Sequence, residues 1–227
     1  MNRMSRIFLF FAVVAFIAGA VHAEKAGDQN WDKLMQGNAR YVSGQVSKKE
    51  TGDAYRKELA KGQHPYAVVV ACSDSRVAPE IVFDEGLGKI FVVRTAGNVV
   101  DPIALGSIEY AVEHLHAPLV VVMGHESCGA VTAAVEQKGT PEGNIGEIVK
   151  KIMPAVKKAK SSLKKNDTLL HASIIENVKD VAGEIAKSKV ISHEMHEGKV
   201  KVMAAYYAIS TGKVEAVELK QEPVSVH

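Results

Sequence analysis

The chain has 227 residues, 47% hydrophobic and 24% charged, with 28 Lys and Arg against 26 Asp and Glu and only two cysteines. That average globular composition excludes a disordered, collagen-like or disulfide-scaffold protein, each of which needs a strongly biased one. Charges this closely balanced make no field that would hold nucleic acid or an anionic membrane surface, so neither is expected as a partner.

Arg3 and Arg6 precede an apolar run over residues 7–20, which gives way to small residues and Val21-His22-Ala23 before the charged Glu24. A basic start, an apolar middle and a small-residue end predict a Sec-type signal peptide over residues 1–23, and with it a periplasmic or secreted protein. The run is shorter than the ~20 residues needed to span a bilayer, so cleavage is expected, with no stable membrane association afterwards. Cleavage takes away two arginines and leaves basic and acidic groups in balance. Residues 24–227 read as a single domain, because no repeat or low-complexity linker divides them. A chain of this size buries about 70% of its unfolded surface without covalent staples.

Trp31, Leu34, Met35 and Tyr41 have helical spacing ended by Gly44, and residues 55–61 predict a second short helix closed by Gly62. Residues 66–71 (YAVVVA), 90–93 (IFVV) and 119–123 (LVVVM) are short, β-branched apolar runs of the kind that form central strands covered on both faces. Between the second and third, residues 101–116 predict a helix with Asp101 as cap, Pro102 at its first position, and Leu105, Ile108, Val112 and Leu115 on one face. The pattern predicts a right-handed βαβ unit and an α/β fold. Further on, Asp167 is expected to cap a long helix with a stripe of His171, Ile174, Ile175, Val178, Val181, Ala182 and Ile185. Alternation over 200–207, a turn at Thr211-Gly212 and residues 214–219 predict a closing hairpin. The lysines at 157, 158, 160, 164 and 165 read as a solvated helix face.

Two of the three apolar strands run directly into residues that can ligate a metal. The first leads into Cys72-Ser73-Asp74-Ser75-Arg76, the third into Gly124-His125-Glu126-Ser127-Cys128-Gly129. Sites in open α/β sheets form beyond the carboxyl ends of strands, so these loops meet if their strands are neighbours. Cys72, His125 and Cys128 make a ligand set suited to Zn2+, and three protein ligands leave the fourth tetrahedral position open, as catalytic sites do. Two cysteines in an exported protein equally admit a Cys72–Cys128 disulfide, which would make the chain a secreted binding module without metal. A staple, however, has no use for a histidine three residues before one cysteine or for an acid and a base just after the other. Asp74 can reach the metal's fourth position or accept a hydrogen bond from water bound there, and Arg76 would hold it ionised. Other motifs are weaker. Gly86-Leu87-Gly88-Lys89 lacks the third glycine of a dinucleotide fingerprint. Residues 94–98 read either as a strand exit with a glycine turn or as pocket lining. His193 and His196 read as surface residues.

Residues 71–77 (ACSDSRV) together with Gly124-His125-x-x-Cys128-Gly129 resemble the signature of the β-class carbonic anhydrases, in their plant-like branch. The similarity continues through residues 37–44, 91–98, 107–112 and 205–212 and covers most of the chain after residue 23. The resemblance implies a mainly parallel central sheet flanked by helices, in a homodimer or higher homo-oligomer whose N-terminal helices lie across the partner. It implies one Zn2+ per subunit on Cys72, His125 and Cys128, with a zinc-bound hydroxide oriented by a catalytic dyad of Asp74 and Arg76. The activity implied is reversible hydration of carbon dioxide to bicarbonate and a proton. Gln63, Phe91 and Tyr110 match substrate-pocket positions that work across the dimer interface; Ala96 stands where the family has valine, and Gly129 adjoins the second ligand cysteine. Family members switched off by bicarbonate often carry a tryptophan where this chain has Val69, so an open site with Asp74 off the metal is expected. Two thiolate ligands cancel the metal's charge, so activity is expected to rise toward alkaline pH. A related scaffold acting on another linear molecule, such as carbon disulfide, would keep the same zinc ligands and differ in its pocket.

Overall fold

The computed structural model describes residues 27–137 and 143–219; the predicted signal peptide at 1–23 lies outside the described residues. Helix α1 covers residues 27–42. It is followed by α2 (Asp53–Leu59), β1 (Ala67–Cys72), α3 (Pro79–Val82), β2 (Ile90–Thr95), α4 (Pro102–Glu113) and β3 (Leu119–His125). The second half runs α5 (Gly129–Val135), α6 (Ile145–Ser162), α7 (Leu169–Ala186), α8 (Lys189–His196), β4 (Lys201–Tyr207) and β5 (Val214–Val217). One sheet holds all five strands in the order β2-β1-β3-β4-β5, parallel throughout except for the antiparallel β4–β5 hairpin.

Every residue of β1 and β3 is buried, which is why their sequences run apolar without alternation. On one face Val68, Val70, Val120 and Val122 pack against α4 and α7 through Ile108, Val112, Val178 and Ile185. On the other, Val69, Val121 and Met123 pack against Leu34 of α1 and Val82 and Phe83 at α3. Each such side chain contributes roughly 1.5–3 kcal/mol by leaving water. The expected βαβ unit is β2–α4–β3, crossing over β1. Its helix starts as its residues require, with Pro102 in the first turn and the Asp101 side chain accepting from the Ala104 N–H at 2.8 Å.

Helix α7 departs from expectation at its start. Thr168, not Asp167, is the cap, its hydroxyl accepting from the His171 N–H at 3.1 Å. Its buried face also carries Ser173 and Asn177, while His171 and Ile175 are only half-buried. Helix α8 was not foreseen, and His193 and His196 are exposed on it. Lys157, Lys158 and Lys160 are exposed on α6, as expected of a solvated face, and Lys158 donates to Asp180 of α7.

Two buried polar side chains fasten α1 to the sheet. Asn38 donates to the carbonyls of Val82 (3.0 Å) and Gly212 (2.8 Å) and accepts from the Val214 N–H (3.0 Å). Asp84, in a left-handed conformation with φ of 50°, accepts from Arg40, Lys49 and both the N–H and hydroxyl of Ser47. The segment after α1 is thereby tied to the turn that follows α3.

Candidate metal centre

The predicted meeting of two loops depends on strand order, and β1 and β3 are neighbours. Their register pairs Ala71 with Met123, so Cys72 at the end of β1 comes level with the Gly124-His125 end of β3. Ser127 then takes a left-handed φ of 54°, reversing the chain so that Cys128 caps α5 beside His125. The potential ligand atoms of Cys72, His125 and Cys128 all lie within 4.8 Å of one another, and all three residues are buried. Val131 of α5, Val149 and Ile152 of α6, and Ile174 of α7 pack around the two cysteines. Both are free thiols, so the Cys72–Cys128 disulfide is not formed.

The hydrogen bonds around this group suit a metal. His125 Nδ1 lies 2.9 Å from the Glu126 carbonyl. A carbonyl only accepts, so Nδ1 carries the proton and the Nε2 lone pair is free. That Nε2 is fully buried with no hydrogen-bond partner among the described residues, a state protein interiors avoid unless a ligand completes it. Nδ1 held by a backbone carbonyl is also the usual outer-shell arrangement of a ligating imidazole. The Cys72 thiol is pulled below its ordinary range, first by the hydrogen bond from Cys128, then by His125 and the backbone N–H groups of Asp74 and Gly97, against burial. The same bond and burial push Cys128 up. A cation bound between the two sulfurs would favour their thiolate forms and displace protons.

Asp74 and Arg76 form a bidentate pair at the rim. Arg76 Nε and Nη2 donate to the two carboxylate oxygens at 2.9 and 2.7 Å, and its backbone N–H donates to Oδ1 at 2.9 Å. These bonds hold the Asp74 carboxyl well below the usual carboxylate range despite partial desolvation. Arg76 Nη2 also reaches the Ser127 carbonyl at 3.3 Å, joining the two ligand loops. Asp74 Oδ2 lies 3.9 Å from His125 Nε2.

Ala96 and Gly129 adjoin this group, Ala96 half-buried after β2 and Gly129 exposed at the first position of α5. Gln63, Phe91 and Tyr110 stand apart from it within one chain. Gln63 is exposed on the loop before β1. Phe91 is half-buried on β2 opposite Val68, whereas Thr95 is the residue opposite Cys72; Phe91 therefore sits roughly 13 Å back along the strand. Tyr110 is exposed on α4, its ring 5.3 Å from that of His114. Residues 94–98, open between a strand exit and a pocket wall in the sequence, support the first ligand loop. Arg94 Nε donates to the Cys72 carbonyl at 2.9 Å and Nη2 to the Asp74 carbonyl at 2.6 Å, and the Gly97 N–H donates to Cys72 Sγ at 3.2 Å.

Fold and site together define a class: a mostly parallel, doubly covered α/β sheet with a sulfur–imidazole–sulfur group at the carboxyl ends of two adjacent strands. The sequence model of the carbonic anhydrase family matches residues 67–214. Carbonic anhydrase 2 of Mycobacterium tuberculosis is 42% identical over 187 residues, covering 81% of this chain and 89% of that protein. The structure of a Coccomyxa β-carbonic anhydrase in complex with acetazolamide superposes with a TM-score of 0.67 at 27% identity, covering 73% of this chain and 78% of that one. One of two tetrameric β-carbonic anhydrases of the filamentous ascomycete Sordaria macrospora shares the fold, with a TM-score of 0.66, 22% identity, and coverage of 87% and 96%. The chain belongs to the β-carbonic anhydrase family and is an enzyme of the carbonic anhydrase class. Family membership supports hydration of carbon dioxide as its activity.

Proposed function

We propose that Cys72, His125 and Cys128 hold one zinc ion per subunit and that the enzyme hydrates carbon dioxide there, with Asp74 and Arg76 as its catalytic dyad. The observation that carries this reading is the buried, unpartnered Nε2 of His125 beside two free thiols. Zinc held there would lower the pKa of a bound water and so supply a hydroxide nucleophile, in a proportion that rises toward alkaline pH because two thiolates offset the metal's charge. Asp74, ionised by its pair with Arg76, accepts the hydrogen of that nucleophile and so turns its lone pair toward the substrate carbon. The bidentate grip of Arg76 keeps the carboxylate in that role and off the metal, an open resting site. The Arg94 guanidinium, donating to the backbone carbonyls of Cys72 and Asp74, holds Asp74 in register with Cys72.

Gln63, Phe91 and Tyr110 line the pocket of a partner subunit in a homodimer. In support, β2 is an edge strand with half-buried Phe91, Val92 and Val93, and the adjacent helix exposes Ile103 (79%) and Tyr110. A fully active monomer in sedimentation would overturn this. Residues 1–23 direct export and are removed, leaving residues 24–227 as one catalytic domain in the periplasm or outside the cell; a mature N-terminus at Glu24 by mass spectrometry is expected.

The central test is metal analysis with stopped-flow carbon dioxide hydration, before and after chelation, on wild type and Asp74→Asn. One zinc per chain is expected, with activity lost on chelation and restored by zinc. Asp74→Asn should keep its zinc and lose about 10²-fold or more in turnover. A zinc-free, disulfide-bonded wild type, or full activity in Asp74→Asn, would contradict the reading.

A further inference from the structure

Asn177 is a polar residue in the apolar face of α7, 2% exposed, and its side chain reaches a backbone group 80 positions away. Its Nδ2 donates to the Gly97 carbonyl at 2.9 Å. Gly97 lies in the short turn Ala96–Asn98 after β2, with φ of 66° and ψ of 21°. An added Cβ there would sit 2.8 Å from Ile152 Cδ1 and 3.1 Å from Ala130 Cβ, so both conformation and space call for glycine. The Gly97 N–H is the donor to Cys72 Sγ. The sulfur's one backbone contact from β2's exit therefore depends on the loosest kind of residue in the chain. The Gly97 N–H and carbonyl flank one Cα, so a carbonyl held by Asn177 and a Cα seated against Ile152 and Ala130 together narrow the directions open to the N–H.

We propose that Asn177 is a positioning residue for the metal centre: its amide locks the Gly97 carbonyl and so aims the Gly97 N–H at the sulfur of Cys72. The bond from α7 ends one peptide from the ligand and touches neither substrate nor metal. Outer-shell partners of this kind typically account for 10–100-fold in metal affinity. A donor on a thiolate sulfur also stabilises its lone pairs and so raises the energy of sulfur-to-metal charge transfer. The inference rests on the zinc reading above and adds to it a residue that no spacing rule connects with the ligands.

The test uses the full-length protein, with zinc affinity measured by competition against a chromophoric chelator and the near-ultraviolet charge-transfer band recorded after Co2+ substitution. Asn177→Leu keeps the bulk and removes the donor. Ser173→Ala, one turn earlier on the same buried face, is the packing control; the Ser173 hydroxyl has no hydrogen-bond partner among the described residues. Asn177→Leu is expected to bind zinc 10–100-fold more weakly and to move the cobalt band to lower energy, while Ser173→Ala stays within about twofold of wild type. Equal affinity and an unmoved band in Asn177→Leu, or an equal loss in Ser173→Ala, would overturn the role of Asn177. Should Asn177→Leu fail to fold, wild type loaded with 113Cd decides: a scalar coupling between the Gly97 amide proton and the metal is expected, and its absence overturns the proposal. A wild type that takes up no metal defeats the underlying zinc reading instead, so the two failures are distinguishable.

Discussion

Gly124 occupies the position on β3 directly before His125, on the side that faces α7. A Cβ placed there would lie 2.4 Å from Val178 Cγ2 and 3.1 Å from Ile174 Cγ2. Carbon atoms are at ease at about 3.5–4.0 Å, so the methyl of Gly124→Ala is more than 1 Å too close to Val178. Val178 is fully buried, and a β-branched side chain in a helix has essentially one χ1 rotamer, so it cannot swing aside. The strain must instead move α7 or the end of β3. Overpacking of this kind costs about 1–3 kcal/mol, and each kcal/mol lowers Tm by about 2–4 °C in a chain of this size. Because α7 carries Asn177, zinc affinity should weaken along with stability. The assay is equilibrium denaturation of Gly124→Ala, Val178→Ala and the double variant. The cavity left by Val178→Ala can accept the new methyl, so the double variant should be about 1 kcal/mol or more stabler than additivity allows. Additivity within about 0.5 kcal/mol, or a Gly124→Ala protein as stable as wild type, would refute the steric account.

Two further outcomes concern the anchoring of α1. Burial pushes the Asp84 carboxyl up, but hydrogen bonds from Lys49, Arg40 and Ser47 outweigh it and hold the group well below the usual carboxylate range. Its stabilising contribution is therefore complete above the unfolded-chain value of about 3.9 and is lost as pH falls through the lower folded value. Asp84→Asn should be less stable than wild type at pH 7, and the gap should narrow steadily as pH falls below about 4, read as denaturant midpoints; parallel pH profiles would exclude the mechanism. Asn38→Ala strands the carbonyls of Val82 and Gly212 and the N–H of Val214. At about 1–3 kcal/mol for each buried unsatisfied group, a loss of at least about 3 kcal/mol in denaturant unfolding is expected, and less than about 1 kcal/mol would contradict the assignment.

Two of the three apolar runs, β1 and β3, are the central strands their sequences predict, because a strand covered on both faces has no room for polar positions, whereas β2, expected to be central as well, is an edge strand with half-buried side chains. The helix cap at Asp101 was equally legible, since its donor is three residues away. At α7 two good cap formers stand side by side, and nothing local chooses Thr168 over Asp167. Helix α8 buries only Ile191, too sparse a stripe to register as a period. The ligand trio was visible through chemistry and spacing. Its supports were not: the Arg94 guanidinium binds backbone carbonyls and Gly97 acts through its own N–H, neither of which a side-chain pattern reveals, and Asn177 arrives from 80 residues away. Gln63, Phe91 and Tyr110 rest on family resemblance alone, and their places in a single chain explain why, since none lies at the carboxyl end of the sheet.

Asn38 reaches Gly212 and Val214 across 174 and 176 positions of chain. Leu34 of α1 meets Val82 and Phe83 from the first half of the chain, but two of the three bonds that Asn38 makes wait for the closing hairpin. A chain that stops short of that hairpin keeps the Val82 bond and loses the other two. A fragment that ends before β5 could therefore carry every ligand of the metal group and still lack part of what holds its first helix down.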